Sequence, residues 1–73
     1  MARVLHLLKG GDPTPALDVI ARQQAAGDAV TVALLPGAAL APPAGVAVRR
    51  VPDELSWDGL LDAIFEAEQV IAW

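Results

Sequence analysis

Arg3-Val-Leu-His-Leu-Leu-Lys-Gly-Gly-Asp-Pro-Thr-Pro15 decides the fold. A short apolar run closed by a glycine pair, with a helical pattern following at once, marks a βα unit whose strand is covered on both faces. Side chains alternate along a strand, so Val4, His6 and Leu8 point to one sheet face while Leu5 and Leu7 point to the other. Both faces are apolar apart from His6, the pattern of a central strand. Lys9-Gly10-Gly11-Asp12 then makes the turn. Thr14 is expected to cap the helix, because it precedes Pro15, which fits the first helical position and pushes its predecessor out of α geometry.

Outward from this unit, the spacing predicts a helix from Pro15 to about Ala26, with Leu17, Ile20, Ala21 and Gln24 as its buried stripe and Asp18 and Arg22 outside. Gly27 ends it. Ala29 to Leu35 is a β-branched-rich second strand stopped by Pro36-Gly37. The Ala/Pro/Gly-rich connector 37–45 leads to a third strand, Val46 to Val51, whose terminal Arg49 and Arg50 suit an exposed sheet edge. Ser56 caps a second helix, Trp57 to about Ala67, with Trp57, Leu60, Leu61, Ile64 and Phe65 as its expected inner face and Asp58, Asp62 and Glu66 outside. Gly59 within it costs about 1 kcal/mol relative to Ala and points to close packing there. Val70 to Trp73 is a fourth strand. The predicted fold class is α/β: a single domain over 1–73, small and Rossmann-like, βαββαβ, with a parallel four-stranded sheet. Right-handed crossovers, a central first strand and an arginine-ended edge strand give the order 3-2-1-4.

Composition bounds the function. Seventy-three residues with 55% hydrophobic content make a domain with little interior, and below roughly 70–80 residues such a core leans on disulfides, metals or oligomerisation. There is no cysteine and one histidine, which excludes disulfides and thiolate-metal sites and disfavours a histidine metal site. A homo-oligomer is expected. The net charge of −4 with five scattered basic residues argues against nucleic acid, since phosphate binding needs clustered Lys and Arg. Six of the nine acids lie between Asp53 and Glu68 and no base follows Arg50, so a basic protein partner is the easier one to accommodate. No apolar run approaches the ~18 residues of a membrane span, and the N-terminal run lacks a signal-peptide pattern. A cytoplasmic protein with no membrane partner is expected.

Val4-Leu5-His6-Leu7-Leu8, the strand Val30 to Leu35 followed by Pro-Gly-Ala-Ala-Leu-Ala41, and Leu60 to Phe65 leading into Val70-Ile71-Ala72-Trp73 together resemble the DsrE/DsrF/DsrH (TusB-like) family of sulfur-relay proteins. The Leu-His near the start and the last strand ending in Trp are the most specific parts. The resemblance implies a parallel Rossmann-like sheet, assembly into multimers, and a cytoplasmic relay passing persulfide sulfur between cysteines. This chain departs from the family in having no cysteine and in its shortness, so sulfur transfer carries over to no residue. Arg3 to Leu8, Gly10-Gly11, the helix ending Ala-Gly-Asp and Val30-Thr-Val32 also resemble the opening of GT-B glycosyltransferases, over the first 35 residues alone.

No residue stands out as catalytic, and no cofactor or metal is expected. His6, among apolar neighbours, reads as a core or interface histidine rather than a base. Lys9, Gly10 and Gly11 form a candidate anion or ligand loop, because free N–H groups and the helix dipole favour an anion there; the pattern is not G-x-G-x-x-G, and Pro13 and Pro15 remove donors. Asp58, Asp62 and Glu66 read as a solvated helix face. Leu40, Ile71 and Trp73 are candidate interface residues. The function expected is that of a non-catalytic DsrE/DsrH-like assembly or interaction subunit; the alternative is a small-molecule, nucleotide or phosphate-binding module.

Overall fold

The structure is a computed structural model that describes residues 2–41 and 43–73. Its elements run β1 (Arg3–Leu8), α1 (Thr14–Ala25), β2 (Ala29–Leu34), β3 (Ala47–Arg50), α2 (Trp57–Glu66) and β4 (Gln69–Ala72). The four strands form one sheet in the order β3-β2-β1-β4, and every pairing is parallel. The expected order 3-2-1-4 is the one observed, with Leu5 opposite Val70 on one side and Thr31 on the other.

Alternation along β1 sends side chains to two separate cores. Leu8 joins Val30, Val32 and Leu34 beneath Ala16 and Ile20 of α1, with Ala38 and Leu40 completing that cluster. Leu5 joins Ala33 and Val51 beneath Leu60 of α2, flanked by Leu7, Leu55, Ala63, Ile64 and Ala67. One helix therefore covers each face, and β1 is buried from both sides, as a central parallel strand requires.

The helix ends depart from expectation in instructive ways. Pro13, not Thr14, occupies the N-cap position of α1, and its side chain has nothing to donate or accept. Asp12 does that work instead: its Oδ1 accepts from the Thr14 backbone N–H at 3.0 Å and from Thr14 Oγ1 at 2.7 Å. The buried stripe of α1 is also turned by about one residue from the expected one, with Ala16 and Ile20 buried and Ala21 exposed. At the other end, Gly27 at φ 86° closes the helix, with Gly27 N–H bonded to Gln24 O and Asp28 N–H to Gln23 O, the paired bonds of a Schellman cap. Ser56 caps α2 as expected, accepting from the Gly59 N–H at 2.9 Å.

Candidate functional site

His6 is wholly buried, at 0% exposure, and is the polar residue of the core. Burying imidazole requires partners for both ring nitrogens, and the fold brings one from α1 and one from the residue after β4. Nε2 lies 2.7 Å from Gln23 Oε1 of α1, and Nδ1 accepts from Trp73 Nε1 at 2.9 Å. An indole N–H only donates, so Nδ1 carries no proton; the proton sits on Nε2 and is donated to Gln23. The two rings lie within 13° of parallel with centroids 6.0 Å apart, a separation that places them edge to edge across this hydrogen bond. With both nitrogens engaged inside the core, His6 ties α1 and the residue after β4 to the central strand and is not free to act as a base. Gln23 escaped the sequence reading, which put Gln24 on the buried side; Gln24 Nε2 instead donates to Ala44 O at 2.7 Å, tying α1 to the connector. A buried histidine on a strand facing an amphipathic helix was the available signal that one of the two glutamines had to turn inward.

Lys9, Gly10 and Gly11 lie past the C-terminal end of β1, the end of the strands at which ligands bind open α/β sheets. The loop packs on the turn after β2: a Cβ on Gly10 would sit 3.4 Å from Gly37 O. The helix N-terminus beside it is already answered by the Asp12 carboxylate, which the Thr14 backbone N–H, and then the Thr14 hydroxyl, hold below its ordinary range. A carboxylate in that position supplies the negative charge an external anion would bring.

The candidate interface residues serve partly inside the fold. Leu40 is buried in the α1-side core, Trp73 packs on the same core and bonds to His6, and Ile71 is half-buried opposite His6. The exposed apolar surface is elsewhere. Trp57, Leu61 and Phe65, expected on the inner face of α2, are 55%, 52% and 78% exposed, and Val70 of β4 is 38% exposed. The reason is the width of the apolar arc on α2. Leu60, Ala63, Ile64 and Ala67 already fill the contact with the sheet, and a helix seated on β1 and β2 has one stripe's width to bury, so the second stripe at i, i+4, i+8 is left outside.

A cleft of about 140 Å³ opens on the other flank of α2, lined by Arg3, Leu5, Ala29, Thr31, Ala63 and Glu66 among others. It lies at the N-terminal ends of β1 and β2, away from the Lys9-Gly10-Gly11 loop, and is small beside the roughly 300–1,000 Å³ of typical ligand pockets.

No family model, no curated protein and no solved structure matches the chain. No helix among the described residues is long and apolar enough to cross a membrane.

Proposed function

We propose that this chain is a non-catalytic assembly subunit of the DsrE/DsrF/DsrH (TusB-like) kind, joining copies of itself or a sulfur-relay partner without carrying sulfur. The observation that supports the reading most is the bond between His6 and Trp73: the two residues that carry the resemblance, 67 positions apart, meet in one hydrogen-bonded pair. Persulfide transfer needs a thiolate nucleophile, and the sequence contains no cysteine. The one imidazole is committed to the core. What the surface offers in place of chemistry is the apolar ridge of α2 and β4.

Native mass spectrometry tests the reading, on the purified chain alone, then mixed with a cysteine-bearing sulfur-relay protein and a persulfide donor. The expected result is a multimer or a mixed complex, with no adduct of about 32 Da, one sulfur atom, on this chain. A chain that stays single in both mixtures would end the proposal. A phosphate or nucleotide retained through purification would favour instead the binding module built on Lys9, Gly10 and Gly11.

A further inference from the structure

We propose that the flank of α2 carrying Trp57, Leu61 and Phe65, together with the free edge of β4, is where a second copy of this chain docks, β4 pairing antiparallel with β4 of the other copy about a two-fold axis normal to the sheet. The proposal rests on the assembly reading above and names its surface and its occupant.

The position of the ridge follows from helix geometry. Side chains advance about 100° per residue along a helix. With Leu60 directed at the sheet, Trp57, Leu61 and Phe65 fall successively on one flank, while Ala63, Glu66 and Ala67 fall on the other. That other flank lines a cleft together with Ala29 and Thr31 of β2. In the order β3-β2-β1-β4, the flank turned away from β2 overhangs β4. Val70 pairs in register with Leu5, whose side chain belongs to the α2-side core, so Val70 faces the same side as the ridge. Helix flank and strand face thus form one continuous apolar step.

The strand below the step is an open edge. Gln69-Val70-Ile71-Ala72 carries no charge and no proline, whereas the opposite edge, β3, carries Arg49 and Arg50. Edge strands are ordinarily protected from further pairing by such charges; here one edge is protected and the other is left able to pair. The area suits a second copy. From their exposures, the four residues present roughly 500 Å² per copy, so burying them fully on both copies would approach the ~1,000 Å² that a specific interface needs, with the backbone pairing of β4 in addition. Charge also selects this arrangement. Asp58 and Asp62 are exposed on the side of α2 directed away from the sheet, with Glu66 beside them on the cleft flank. With the axis normal to the sheet, the apolar flanks confront one another and the carboxylates stay in solvent; packing the outer faces of two α2 helices would drive like charges together. A two-fold contact of this kind is self-complementary.

Sedimentation equilibrium of the intact chain at micromolar concentration tests it. The expected result is a dimer, weakened at least about tenfold by Phe65→Glu and by Val70→Lys, and unchanged by Arg49→Ala on the far edge. Mixing Val70→Lys with Val70→Glu copies is expected to restore association, because pairing β4 with itself brings the two positions within reach across the new seam; Phe65→Glu, at a residue 78% exposed, keeps the test decisive if a Val70 variant fails to fold. A dimer indifferent to both substitutions would overturn this surface and leave the assembly reading standing. A monomer that binds a lysine-rich amphipathic peptide on α2 would overturn the second copy as occupant, and a monomer that forms no complex would overturn both proposals.

Discussion

His6 shows how one polar residue organises a small core. Its ring is hidden from water, and Gln23 and Trp73 each satisfy one nitrogen. Removing one partner strands the other inside apolar surroundings, which costs more than the bond itself contributes. Trp73→Phe keeps the packing and deletes the donor, leaving Nδ1 unpaired; the expected loss is about 1–3 kcal/mol, read from urea unfolding, with the indole N–H in the parent protected from exchange. Asp12 works at the surface by a different route. Its carboxyl is held below the ordinary 3.8 by the Thr14 N–H and hydroxyl, so the charged form is favoured by folding. Stability from this contact is therefore fully present above that ordinary value and is lost as pH falls through the lower folded value. Comparing the parent with Asp12→Ala across this range, the gap in unfolding free energy should close as acid protonates Asp12; a gap that persists in acid would show that the contact is not electrostatic. The sequence disclosed that His6 would be buried, but not its partners, because adjacent glutamines differ by one 100° step and propensity does not distinguish them.

At the scale of the element, α2 carries the clearest internal tension. Gly59 lies in its first turn, and a Cβ there would meet Leu55 Cδ1 at 2.9 Å and Ser56 Oγ at 3.2 Å. Leu55 precedes the Ser56 cap and belongs to the same cluster as Leu60, the arrangement of a hydrophobic staple across a helix start. The glycine makes room for that staple. Replacing glycine by alanine inside a helix ordinarily gains about 1 kcal/mol, but here Leu55 must rotate away to admit the methyl group. Gly59→Ala is expected to fall short of that gain in the parent and to recover it in a Leu55→Ala background, a double-mutant cycle read by denaturant melts. Equal effects in both backgrounds would show that the close approach carries no energy. The element boundaries were legible from capping residues and glycines: Gly27 and Ser56 sit where chain chemistry placed them. The Asp12 cap and the splayed arc of α2 were not. In α2 apolar residues occupy both the sheet-facing stripe and its neighbour, and periodicity alone cannot tell which of two adjacent stripes the sheet accepts.

For the whole molecule, the order β3-β2-β1-β4 was legible because it follows from general constraints: right-handed crossovers, an apolar first strand and a charged third one. The functional surface was less so. Leu40 and Trp73 resembled interface residues in a linear reading, yet each is used within the α1-side core, while the exposed apolar area gathers on the α2 flank and Val70. Burial is a property of how two helices divide two faces, and a hydropathy pattern records neither the division nor the remainder.

The bond from Trp73 to His6 also bears on the order in which the sheet is expected to assemble. β1, α1 and β2 are consecutive and can close on local contacts, whereas β4 must return across most of the chain to reach β1, a separation of 67 residues at the His6–Trp73 contact. Closing a long loop loses entropy before its contacts form, and distant pairings assemble late. On contact separation alone, the β4 side of the central strand is expected to pair last, with His6 gaining its Trp73 partner at that point. The arrival of Trp73 would then close the side of β1 that β2 leaves open, and a chain lacking that contact is expected to present its central strand as an edge able to pair with another strand.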